Sequence, residues 1–203
     1  CLVDPSGEHT MLADNGANAG LVINDLPSLD GVDAIYVTGY ALLAPASRPG
    51  VLAMIHAINL RDIPIIFDPA TVGGMKDVPI EEILSWCTLM DTVIMNEEEA
   101  IYLSGSSDIE AALDFFLEHA PRAIIKRGSQ GAIGRERRGE LVTVIAQATQ
   151  VVDTTGAGDS FAAGFIDAFR SRSNFAPAIE RASAVAAHCV AIVGARGRVG
   201  TQI

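Results

Sequence analysis

The 203-residue chain carries 14 basic and 25 acidic residues, a formal net charge of −11, and it is 49% hydrophobic but only 5% aromatic. That balance excludes disorder, because apolar content is high and charge moderate, and it excludes a nucleic-acid surface, which needs a basic face. Cys1, Cys87 and Cys189 share no CxxC spacing and His9, His56, His119 and His188 are scattered, so structural thiols are expected and a histidine metal cluster is not.

The chain opens at Cys1 rather than Met and reads as a fragment of a longer protein. After the turn signal "DPSG", the segment "HTMLA" (9–13) reads as one arm of a hairpin. From Gly31 onward strands alternate with helices. "AIYVTG" (34–39) is a buried strand, and "SRPGVLAMIHAINLRD" (47–62) places apolar residues at helical spacing. "IPIIFDP" (63–69) is the next strand and "PIEEILSWC" (79–87) the next helix. "TVIMN" (92–96) runs straight into the acidic helix start "EEEAIYL" (97–103). "SDIEAALDFFLEHA" (107–120) opens with a capping box of Ser107 and Glu110.

"AIIKRG" (123–128) is a further strand, and "GAIGRER" (131–137) with "LVTVIA" (141–146) forms an antiparallel pair at the sheet edge. The last two helices are expected over 157–170 and 176–192. Such alternation means right-handed βαβ units: an α/β fold with a mostly parallel sheet and helices on both faces. Ligands of such sheets sit at the carboxyl ends of the strands. The polar signals fall there: Asp68, Asn96, Lys126 with Gly128, and 153–159. No secretory leader is visible. The apolar stretch 182–195 is broken by His188 and too short to span a bilayer, so a cytoplasmic chain with no membrane partner is expected.

"VVDTTGAGDSFAAGF" (151–165) crowds more polar and flexible residues into a strand-to-helix hinge than folding requires. Gly156, Ala157 and Gly158 would present open N–H groups at a helix start, where unpaired donors and the positive end of the helix dipole coincide. Asp159, just inside the helix, could take a proton from an attacking hydroxyl. The loop lacks the GK[ST] ending of a Walker A motif. Asp68, in "FDPA", either holds a water or phosphate network or only turns the chain before Pro69.

"DTTGAGDSFAAGF" resembles the C-terminal signature of the ribokinase-like (PfkB) sugar kinases. In the same order along the chain, "NEEEA" (96–100) is similar to the family's Asn-x-x-Glu motif, "KRGSQGA" (126–132) to its nucleotide loop, and "AIERASAVAAHCVAIVGA" (178–195) to the helix beside adenine. The resemblance implies a three-layer αβα domain over 1–203, with 1–30 a lid-proximal remnant and 31–203 the nucleotide-binding and catalytic core. It implies Asp159 as catalytic base and Gly156, Ala157 and Gly158 as the hole for the transferring phosphoryl group. Asn96 and Glu99 would organise Mg²⁺ and the phosphate tail, Glu99 through water. Lys126, Gly128, Ser129 and Gly131 would border ATP, and Ser183 would face adenine. Lys126 could instead be a solvated strand-end lysine, and His188 reads as core.

Asp153 and Thr155, with backbone around Cys189, Ile192 and Gly194, correspond to the family's monovalent-cation loop. A serine completes that ring in ribokinase where this chain has Arg198, whose guanidinium would compete with K⁺. The family's Gly-Gly signature and most sugar contacts belong to an N-terminal part that does not precede Cys1 here. The expected activity is therefore ATP-dependent phosphorylation of a sugar, with a homodimer as one expected assembly. The alternatives are a silent nucleotide-binding or scaffold remnant and a nucleoside kinase of the same superfamily.

Overall fold

Side chains alternate across a strand, so a sheet covered on both faces needs apolar residues at every position. The central strands have that composition. In this computed structural model the described residues are 2–3, 9–10, 12, 14, 16–170 and 174–194. Strand β1 (Leu2–Val3) pairs antiparallel with β2 (His9–Thr10), as the hairpin reading requires; the turn signal between them lies outside the described residues. The main sheet comprises β3 (Ile35–Thr38), β4 (Ile65–Asp68), β5 (Thr92–Asn96), β6 (Arg122–Lys126), β7 (Ala132–Glu136) and β8 (Val142–Val144), adjacent in that order. Strands β3 to β6 are parallel, while β7 and β8 turn back antiparallel. The α/β, mostly parallel expectation holds.

The helices are α1 (Gly39–Leu43), α2 (Arg48–Asn59), α3 (Val72–Met75), α4 (Ile80–Cys87), α5 (Glu97–Ser104), α6 (Ile109–Leu117), α7 (Ala157–Arg170) and α8 (Phe175–Val190). Successive right-handed crossovers in one direction leave their helices on one face of the sheet. Accordingly Ile65, Phe67, Val93, Met95, Ala123 and Ile125 pack with Ile55, Ile83, Trp86 and Phe116 of α2, α4 and α6. The intervening residues Ile66, Ile94 and Ile124 point the other way, onto Phe161, Phe165, Ala178 and Ile179 of α7 and α8. Three layers result.

Helices α7 and α8 approach closely because Gly164 has no side chain: a Cβ there would lie 2.9 Å from Ala182 Cα and 3.0 Å from Val185. Some local expectations change. The cap of α6 is Asp108, not Ser107, because its carboxylate accepts the N–H groups of both Glu110 and Ala111, at 3.0 and 3.2 Å. The strand read over 123–128 runs Arg122–Lys126, and the chain then tightens into a 3₁₀ turn at Gly128–Gln130. His188 is half-buried rather than core. Helices α1 and α3 have no counterpart in the sequence reading, since four or five residues are too few to develop a helical period.

Candidate active site

Each parallel strand delivers a polar residue at its carboxyl end: Thr38 from β3, Asp68 from β4, Asn96 from β5 and Lys126 from β6. The register sets Thr38 beside Asp68 and Asn96 beside Lys126. The start of α7 comes down against them. A Cβ on Gly158 would stand 3.4 Å from Lys126 Nζ and 3.9 Å from Asp68 Oδ2, so the helix start lies within contact range of the pair. These groups line a cleft of about 790 Å³.

Asn96, Glu99, Lys126, Gly128, Ser129, Gly131, Gly156, Ala157, Gly158, Asp159 and Ser183 all line that cleft; Asp153 and Thr155 are not among its lining residues. The bond from Ser160 N–H to Gly156 O closes the first full turn at the start of α7, so Gly158 and Asp159 have no backbone partner for their N–H groups one turn back. Ala157 N–H donates to Thr154 O at 3.2 Å, which narrows the open donors expected at Gly156 to Gly158. Gly156 itself has φ +79°, the left-handed conformation that glycine adopts without strain.

Lys126 is not a solvated lysine. Its ammonium lies 2.7 Å from Asp68 Oδ2, and the two side chains are only 17% and 10% exposed. Asp68 Oδ1 accepts the N–H of Ala70 at 2.9 Å, so Asp68 both turns the chain and joins a charged network. Asn96 and Glu99 form a reciprocal capping box at the β5–α5 junction. Glu99 Oε2 accepts Asn96 N–H, Oε1 accepts Asn96 Nδ2–H, and Asn96 Oδ1 accepts Glu99 N–H, each at 2.8 Å. Burial of Glu99, at 2% exposure, and the charge of Asp68 push its carboxyl up to about 7, against the pull of Lys126 and the Asn96 backbone.

Two residues that sequence reasoning missed line the cleft with Asp159. The hydroxyl of Tyr36 donates to Asp159 Oδ1 at 3.4 Å, and Tyr40 lines the same cleft. Burial, then Asp68 and Asp159, raises the Tyr36 phenol far above its ordinary value; burial also raises Tyr40. The available signal was a tyrosine inside an otherwise apolar strand, where a partly buried hydroxyl needs a partner.

Ser183 Oγ is buried without a hydrogen-bond partner, an acceptor–donor waiting on the wall. Gly131, at φ +90°, lets Val144 O approach to where its Cβ would be 1.9 Å away, shaping that wall. Among the described residues no three acidic, histidine or cysteine side chains form a metal cage. At the segment 153–155, Asp153 accepts the N–H groups of Thr155 and Gly194, both at 2.9 Å; Arg198 lies outside the described residues.

The sheet order and this constellation at its carboxyl end define a ribokinase-like kinase fold. The chain belongs to the pfkB family of carbohydrate kinases, whose profile matches residues 1–200. It is 30% identical over 159 residues to the 5-dehydro-2-deoxygluconokinase of Bacillus velezensis, covering 75% of this chain and 48% of that protein. It is 28% identical to the ribokinase of Haemophilus influenzae, covering 98% and 64%. The solved aminoimidazole riboside kinase of Salmonella enterica, complexed with aminoimidazole riboside and an ATP analogue, superposes with TM-score 0.76 at 26% identity, covering 91% and 65%. The chain spans about half the length of the first curated relatives it matches.

Proposed function

We propose that this chain carries the ATP site and the catalytic base of a small-molecule kinase that phosphorylates a hydroxyl of a sugar or sugar-like acceptor. The observation that carries the reading is Asp159, in the first turn of α7, sharing one cleft with the Lys126–Asp68 pair. In that reading the acceptor hydroxyl attacks the γ-phosphorus and loses its proton to Asp159. The bond to the β–γ bridging oxygen breaks, and ADP leaves with the electron pair. Negative charge on the phosphoryl oxygens is offset by Lys126 and by the open N–H groups at the start of α7. Asn96 and Glu99 would hold Mg²⁺ through water, where it would neutralise phosphate charge. Lys126, Gly128, Ser129, Gly131 and Ser183 would border the nucleotide. Asp153 and Thr155 would hold K⁺ beneath the loop.

The acceptor panel follows from the relatives: 5-dehydro-2-deoxygluconate, D-fructose and D-ribose, with adenosine for the nucleoside alternative. In the full-length protein, Asp159→Asn is expected to lower ADP release with the best acceptor by about 10²–10⁴-fold. MgATP binding, read by calorimetry, stays within a few-fold. Unchanged turnover would remove Asp159 from the chemistry. A wild-type protein that binds MgATP yet phosphorylates nothing in the panel favours the silent nucleotide-binding reading.

A further inference from the structure

Among the described side chains, one hydrogen-bond donor reaches the Asp159 carboxylate: the hydroxyl of Tyr36, 3.4 Å from Oδ1. The residues lie 123 positions apart, so strand β3 and helix α7 meet at this contact. The separation is long beside the ~2.7 Å of a tight hydroxyl–carboxylate pair. Such slack is common in a resting site and is taken up when substrates bind. The charged and titratable groups around the pair are Asp68 from β4, Glu99 from α5, Lys126 from β6 and Tyr40 from α1. Lys126 is already engaged by Asp68 at 2.7 Å, which leaves Tyr36 as the group that restrains the base.

We propose that Tyr36 is a positioning residue for the base: its hydroxyl anchors Oδ1 of Asp159 and leaves Oδ2 to receive the acceptor proton. The proposal rests on the reading of Asp159 as base. A carboxylate at a helix start rotates about its last bond unless something holds one oxygen, and a fixed oxygen presents the other in one direction. The donor must stay protonated to do this. Burial and the surrounding carboxylates keep the Tyr36 phenol neutral throughout the working range.

Tyr36→Phe keeps the ring and its packing and removes the hydroxyl. In the full-length protein, with MgATP and the fastest acceptor of the panel, it is expected to lower kcat about tenfold and leave the KM for MgATP within about twofold. Because the hydroxyl acts through Asp159, adding Tyr36→Phe to Asp159→Asn should cost nothing further. An unchanged kcat in Tyr36→Phe, or a KM for MgATP that rises in step with the loss of kcat, overturns the proposal, as does a further, additive loss in the double variant. If Asp159→Asn itself turns over at the wild-type rate, the base reading fails and takes this proposal with it. If only Tyr36→Phe is neutral, the base reading stands and this proposal alone falls.

Discussion

Glu99 has both carboxylate oxygens engaged by Asn96, yet burial beside Asp68 pushes its carboxyl from an ordinary 4.5 up to about 7. The folded protein therefore holds this proton more tightly than the unfolded chain does. That contribution to stability is complete below about 4.5 and is lost as pH rises through about 7. Glu99→Gln keeps an acceptor for the cap and abolishes the titration. In metal-free protein, the melting temperature of the wild type is expected to fall relative to the Gln variant across that window. A difference that stays constant with pH would reject the buried acid. The same residue shows how far a motif can be read. Asn96-x-x-Glu99 was legible as a spacing at a strand-to-helix junction, not as a cap. Its burial was not, because exposure depends on what packs over the junction.

At the scale of elements, the α7–α8 contact is the part of the fold most sensitive to one atom. Both helices cover the same face of the sheet, and α7 also carries Asp159 at its first turn. Gly164→Val would force side-chain carbons into Ala182 and Val185, at distances no real contact shows. Overpacking of this kind costs about 1–3 kcal/mol. Urea unfolding is expected to show that loss, and an unaltered midpoint would mean the two helices can part without penalty. The bounds of α7 were readable to the residue, since "GAGD" marks its start and the apolar stripe its length. Helices α1 and α3 were not readable. They form because the chain must turn after β3 and β4, a requirement of the sheet and not of their own residues.

For the whole molecule, the outer edge of β3 has no strand neighbour among the described residues. An open edge is a template for another strand. Light scattering on the 203-residue chain expressed by itself is expected to show association, and a monodisperse monomer would reject that.

The order of the longer elements, the hinge loop, the Asn-x-x-Glu spacing and the family resemblance were determined by the sequence alone. Each is a matter of spacing along the chain: a period of two or of 3.6, or a motif of fixed spacing. The Lys126–Asp68 pair joins residues 58 apart, and the Tyr36–Asp159 contact joins residues 123 apart. Only the tertiary structure decided those pairings and the burial that shifts Glu99. Coulomb attraction and desolvation act through distance in space, and that distance is set by how the sheet and its two helical layers pack together.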